Sequence, residues 1–216
     1  MVHWARPGSV AREAVVARKD QMDSATLDEA VDAARDGDPE AFGRLWQELS
    51  PRVAAYFRAQ GVPDHEDLTS EVFLAAFRQM RRFIGGGAAF RGLLFSIAHH
   101  RHVDWVRRQV RRGTTVPWDE LVEDPRTTGS AEEAALTGLG EQRVVALLTE
   151  LTPEQRAVVA LRVLGELSLE ETARVLGRDV GSVKSLQHRG LARLRRKLST
   201  DPYPRTVPGR LNTRHA

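Results

Sequence analysis

The chain has no cysteine, which excludes a disulfide framework, a thiolate zinc site and thiol-based redox sensing. Aromatic residues make up only 6% of its 216 residues, so a core must be built largely from Ala, Leu and Val. That suits small helical units better than a sandwich or barrel. Long apolar runs are absent too: none approaches the ~20 residues of a membrane span, and the first residues lack the apolar core of a secretory signal. A cytoplasmic protein is expected. Net charge is small, since 32 Lys and Arg stand against 29 Asp and Glu to leave +3. Any charge signal must therefore lie in local clusters. Hydrophobic residues at 41% still suffice for a packed interior.

What is present is concentrated between Leu167 and Leu198. Ser168 and Glu171 have the spacing of a capping box, in which the hydroxyl serves one backbone donor and the carboxylate returns to the cap's own. Ala173 keeps the middle of that helix thin enough for another to cross closely, and Gly177 can adopt the left-handed conformation that ends it. Asp179 is placed to cap a second helix, along which Val183, Leu186, Gly190, Leu194 and Leu198 recur every three or four residues as a buried stripe. The opposite face carries Lys184, His188, Arg189, Arg193, Arg195, Arg196 and Lys197, with no acidic residue between Val180 and Thr200. Solvated helices usually mix both signs, whereas here Glu166, Glu170 and Glu171 are confined to the preceding segment. This is the pattern of a helix-turn-helix with a phosphate backbone as partner.

Upstream, residues 1–23 show no sustained apolar period and read as a flexible tail, with the helical pattern starting after Met22. From Leu27 to Gly61 the spacing of Phe42, Leu45, Leu49, Val53 and Tyr56 or Phe57 predicts helix. Asp38-Pro39 and Ser50-Pro51 each predict a helix start, and Gly61 the stop. A further helix is expected from His65 to Phe83, with Leu68, Val72, Ala76, Met80 and Phe83 inward. Asp67 and Glu71 near its start and Arg78, Arg81 and Arg82 at its end are what the helix dipole alone would favour. Gly85-Gly86-Gly87 predicts a loop. The next helix turns Phe90, Leu94, Ile97 and Ala98 inward and ends in Arg101, Arg107, Arg108, Arg111 and Arg112, opposed only by Asp104.

Residues 113–140 lose the apolar period and carry Asp119, Glu120, Glu123, Asp124, Glu132 and Glu133, as a linker would. A second domain over 141–198 follows, with Val145, Leu148, Leu151, Val158, Val159, Leu161 and Leu164 backing the helix-turn-helix and Thr152-Pro153 opening a helix. A tail from 199 to 216 closes the chain. The expected fold is all-α, two small helical domains (24–112 and 141–198) joined by a flexible acidic linker, the second carrying the helix-turn-helix. His99, His100 and His102 with Asp104 invite a metal or acid-base reading, yet neighbours on a helix point in different directions and cannot converge. No catalytic residue, metal or cofactor is expected, and the chain is not expected to be an enzyme.

This arrangement resembles the extracytoplasmic-function (ECF) sub-family of bacterial RNA polymerase sigma factors over about residues 24–198. In the second domain the likeness rests on Leu151-Thr152-Pro153-Glu154-Gln155-Arg156, Ser168-Leu169-Glu170-Glu171-Thr172-Ala173, and Gly181-Ser182-Val183-Lys184-Ser185 followed by His188-Arg189. In the first it rests on Asp67-Leu68 with Glu71 and Phe73, then Phe90-Arg91, Ile97-Ala98-His99-His100, and Asp104 ahead of Arg107-Arg108. Ser70 stands where glutamine is usual in that family, Leu93 where tryptophan is frequent, and His100 where asparagine is common.

The resemblance implies a promoter-specificity subunit that recruits core RNA polymerase, opens DNA and leaves. The first domain would dock on the clamp helices of the largest subunit through Asp67, Glu71 and Phe73, and the second on the flap of the second-largest. The loop and helix from about Phe83 to Arg112 would hold the melted minus-ten strand, through Phe90, His100, Arg101, Trp105, Arg107 and Arg108. Single strands are held by basic grooves and stacking surfaces, though Trp105 suits buried packing equally well. The helix-turn-helix would read the minus-thirty-five element in the major groove through Lys184, Ser185, Gln187, His188, Arg189, Arg193 and Arg196. Arg189 suits a bidentate guanine contact worth ~1–3 kcal/mol, Gln187 suits adenine, and Arg193 and Arg196 suit phosphates. An anti-sigma factor is implied as a further partner, one that can hold such a protein at the membrane. The alternative is a conventional helix-turn-helix regulator that binds duplex operators without polymerase, and tight duplex binding by the isolated protein would distinguish it.

Overall fold

Residues 23–112 and 144–200, described by a computed structural model, contain helices, turns and no strand. The expected linker and almost all of both expected tails fall outside the described residues.

Helix α1 (Ser24–Arg35) starts on Asp23, whose carboxylate accepts from Thr26 N at 2.8 Å. Those hydrogen bonds hold the carboxyl below its usual range. Its inner face buries Leu27, Ala30, Val31 and Ala34. Helix α2 (Pro39–Ala59) starts where expected, with Asp38 accepting from Glu40 N at 2.9 Å. It then runs straight through the second expected start at Ser50-Pro51, so one helix stands where two were predicted. A proline inside a helix loses one backbone bond and crowds the preceding turn. Here Leu45 and Leu49 before it, and Val53, Tyr56 and Phe57 after it, are buried in the same core, so packing on both sides outweighs the local signal.

Helix α3 (His65–Arg78) is shorter than expected and tightens into a 3-10 turn over Met80–Arg82, which buries Met80. Helix α4 (Gly87–Arg111) follows. The expected glycine loop is shorter than its three glycines, because Gly87 opens α4. A Cβ on Gly87 would lie 2.4 Å from Leu27 Cγ, so only glycine lets α4 start this close to α1. Gly87 N donates to Asp28 Oδ1 at 2.5 Å, and Arg35 Nη2 donates to Gly85 O at 2.9 Å, so α1 pins the loop from both sides. The phenylalanines of α2 and α3 meet edge to face, Phe42 on Phe77 at 4.7 Å and Phe73 on Phe77 at 5.5 Å.

In the second unit, residues 144–149 are helical, followed by α5 (Pro153–Val163), α6 (Leu169–Leu176) and α7 (Val180–Thr200). Thr152 and Gln155 form a capping box at α5, and Ser168 and Glu171 form the expected one at α6. Gly177 sits at φ 61°, the left-handed stop read from the sequence. Arg156 is buried and donates to the carbonyls of Leu148, Thr149 and Leu151 at 3.0, 2.6 and 3.0 Å, closing the end of the preceding helical segment. Val183, Leu186 and Gly190 of the expected α7 stripe are buried and Leu194 half-buried, but Leu198 is exposed because α7 outruns the helices that cover it. The two units touch: α2 meets α5 and α4 meets α6. One apolar cluster runs from Phe95 of α4 to Leu161, Leu164 and Leu167.

Candidate nucleic-acid interface

The turn between α6 and α7 is rigid for local reasons. Asp179 accepts from Ser182 N at 2.7 Å and from Ser182 Oγ at 2.5 Å, and these bonds hold its carboxyl below the usual range. Glu171 is likewise held down by the bonds from Ser168 within its capping box. Arg178 pairs with Glu154 and so ties the turn to α5. Val183 and Leu186 bury against Val158 and Ala173, which fixes the rotation of α7.

That rotation leaves Lys184, Ser185, His188, Arg189, Arg193 and Arg196 exposed and Gln187 half-buried at the edge of the same surface. The first turn of α7 contains no acidic residue, and the one carboxylate at its N-terminus, that of Asp179, is engaged in capping it. Lys197, part of the basic run in the sequence, turns back to Glu150 at 2.8 Å and holds that carboxyl below its usual range. It ties α7 to the segment before α5.

The second basic face lies along α4. His100 is exposed, and its Nδ1 donates to Ser96 O at 2.7 Å, leaving Nε2 outward. Arg107 pairs with Asp104 at 3.5 Å, and Arg108 is exposed. Arg101 reaches Glu71 of α3 at 3.7 Å, linking the DNA and docking candidates across two helices. Phe90 and Trp105 are buried rather than presented at the surface. Phe90 has no exposed surface and stacks on Phe77 at 6.3 Å, because its helical phase points it at α3. Trp105 is 8% exposed and lies against the His102 ring at 6.5 Å, packed into the core.

His99 hydrogen-bonds Tyr56 Oη at 3.0 Å. Burial, with the neighbouring His100, pushes its pKa down to about 4. Burial also pushes His102 down to about 4, helped by His99 and by Arg156 of the second unit. The three histidines have different surroundings, and among the described residues no group of three His, Cys, Asp or Glu could hold a metal ion.

On α3, Asp67 and Glu71 are exposed, but Phe73 is buried beneath Trp46, ring centroids 4.8 Å apart. The apolar groups that do face outward there are Trp46, 37% exposed, and Leu74, 52% exposed. Sequence reasoning missed both. The available signal was the run Asp67, Ser70, Glu71 and Leu74, spaced to share one helix face.

Two family models match, one for sigma-70 region 2 over residues 45–112 and one for sigma-70 region 4 over residues 141–194. Among relatives, the chain is 36% identical to the ECF RNA polymerase sigma factor BldN of Streptomyces coelicolor, covering 83% of this chain and 68% of that one. It is 35% identical to the ECF sigma factor ShbA of Streptomyces griseus, covering 76% of this chain and 91% of that one. The chain belongs to the ECF sigma factors of RNA polymerase. The fold agrees: CnrH, solved with the cytosolic domain of CnrY, matches this sigma factor with a TM-score of 0.53 at 24% identity, over 81% of this chain and 98% of that one. RpoE of Bartonella quintana, solved with the anti-sigma factor NepR, matches with a TM-score of 0.55 at 21% identity, over 75% and 99%. Membership makes the protein a transcription initiation factor, and nothing favours the operator-binding alternative. No helix among the described residues is long and apolar enough to cross a membrane.

Proposed function

We propose that this sigma factor divides promoter recognition between its two units, the first over residues 24–112 and the second over 141–198. The observation that carries this reading is the outward face of α7, where Lys184, Ser185, His188, Arg189, Arg193 and Arg196 are exposed on a helix whose phase is fixed from behind. The start of α7 enters the major groove of the minus-thirty-five element. Arg189 forks onto a guanine, Gln187 addresses adenine from the edge, and Lys184, Ser185 and His188 flank them. Arg193 and Arg196, one and two turns on, hold phosphates.

Along α4, His100, Arg101, Arg107 and Arg108 hold the melted minus-ten strand, while Phe90 and Trp105 act from beneath by fixing the helix that presents them. Core polymerase docks on Asp67 and Glu71 together with Leu74 and Trp46, which supply the apolar centre that a stable interface needs. Phe73 supports that patch from below, and the second unit meets the flap. The protein works without chemistry of its own, in the cytoplasm, and is held in check by an anti-sigma factor.

The test adds the protein to bacterial core polymerase on a library of genomic fragments and sequences the transcripts. Promoter-dependent transcripts that require core enzyme and disappear with Arg189→Ala are expected. Absence of such transcripts, with nanomolar duplex binding by the protein alone, would overturn the reading.

A further inference from the structure

The two units are closed onto each other, and one residue sits at the joint. Glu166, in the turn between α5 and α6, places one carboxylate oxygen 3.0 Å from Arg52 Nη1 of α2 and the other 3.2 Å from Arg91 Nη2 of α4. Arg52 is almost wholly buried, its side chain 7% exposed, and Arg91 is 16% exposed. A guanidinium taken this far from water needs an anion, and the carboxylate that reaches it comes from the other unit. Glu166 also has φ 52°, and it is the one non-glycine with positive φ among the described residues. Left-handed backbone disfavours a residue with a Cβ and persists where the surroundings overdetermine it. Here two ion pairs do so.

The joint is tight as well as charged. A Cβ on Gly165 would fall 2.7 Å from Leu161 O and 3.0 Å from Phe95 Cγ, so the turn lies flush on α4. Leu167 and Glu171 lie just beyond, facing Gly92. Promoter geometry makes this closure consequential. Elements named for positions about 10 and 35 base pairs upstream are separated by about 85 Å at 3.4 Å per base pair. Helices α4 and α6 are in direct contact, so the closed form can address one element and not both.

We propose that the closed arrangement is a promoter-silent resting state, latched by Glu166 between Arg52 and Arg91, and that it opens when the units engage polymerase and promoter. The latch rests on the reading of two units for two elements. Its strength is tuned by the turn itself, because the carboxylate bridges two helices of the first unit at once and must leave both together. Opening strands Arg52 without its counter-ion until water or polymerase reaches it, so intermediate states are disfavoured and the joint behaves as a switch.

The test exploits the absence of native cysteine. Exposed Glu40 and Glu170, one on each unit, are replaced by cysteine and labelled as a donor–acceptor pair in the full chain, and energy transfer is read with and without core polymerase. High transfer is expected in the free protein, falling on addition of core enzyme. Glu166→Gln keeps the shape and loses the charge, and Glu166→Gly also relieves the backbone. Both should lower transfer in the free protein and speed association with core polymerase by about tenfold. Circular dichroism confirms that both remain helical. Low transfer in the free wild-type chain, or transfer unchanged by both variants, would overturn the latch. Run-off transcription by the same samples keeps the two ideas apart: if no sample yields promoter-dependent transcripts, the promoter reading fails, while the transfer signal still judges the latch.

Discussion

Replacing Arg156 with alanine tests how the second unit is held together. Three backbone carbonyls, of Leu148, Thr149 and Leu151, lose their donor at once. Hydrogen bonds to a charged group are each worth ~1.5–3 kcal/mol, so three give a gross loss of about 4.5–9 kcal/mol. Two terms reduce it. Thr149 O is only partly buried and regains water, and removing the cation recovers its desolvation cost, the burial that holds this guanidinium below its ordinary pKa. A net loss of about 3–4 kcal/mol remains, a large fraction of the stability of a small domain. Arg156→Lys retains the charge but offers a point donor in place of a fork, so about a third of the loss should be recovered. Urea unfolding of the full chain, followed by circular dichroism, reads both variants. A loss below about 1 kcal/mol for Arg156→Ala would refute the argument, since the carbonyls would then have other partners.

The remaining predictions concern the same helices. Gly190→Leu should weaken minus-thirty-five binding far more than its distance from DNA suggests, because a Cβ there already lies 3.0 Å from Val159 Cγ2 and a full side chain would lever α7 off α5; a filter-binding titration that left affinity unchanged would count against it. Ser168→Ala removes half of the α6 capping box and should cost about 1 kcal/mol by urea midpoint. His99 and His102 have pKa values of about 4 against an ordinary 6.5, so the unfolded chain binds more protons between those values and stability must rise with pH across that window. The contribution is complete above about pH 6.5 and is lost as pH falls toward 4. Unfolding at pH 7.5 and 5 should differ accordingly, and His102→Gln should flatten the difference. Arg193→Ala should weaken binding uniformly across promoters and lower the salt slope by about 1, measured as log affinity against log salt.

Features set by neighbours in sequence were readable from residue types alone. The caps at Ser168, Thr152 and Asp179 follow from side chains reaching three residues along the chain, the stop at Gly177 from backbone freedom, and the basic face of α7 from helical period. Pro51 was misread by the same local logic, because its cost is outweighed by Leu45 and Leu49 before it and Tyr56 and Phe57 after it, all buried in one core. Phe73 and Phe90 help carry the resemblance to the family, yet they are buried, as is Trp105, and the outward partners Leu74 and Trp46 emerge only once the phases of α2 and α3 are fixed together. The Glu166 bridge was not legible at all. It joins residues more than seventy positions apart, and no periodicity reports a pairing that depends on how two units dock.

Gly165 and Phe95 occupy one volume between them, and that places a constraint on descent. A larger residue at 165 has no room even if the ring at 95 shrinks, because a Cβ there also lies 2.7 Å from the carbonyl oxygen of Leu161, and a smaller residue at 95 leaves a void that nothing at 165 can fill. Across lineages that keep the closed joint, glycine at 165 and a large ring at 95 should therefore both persist. Lineages that have lost the joint should keep the glycine, which the turn itself demands, and let position 95 drift, so change at 95 alone would record which branches still fold onto themselves.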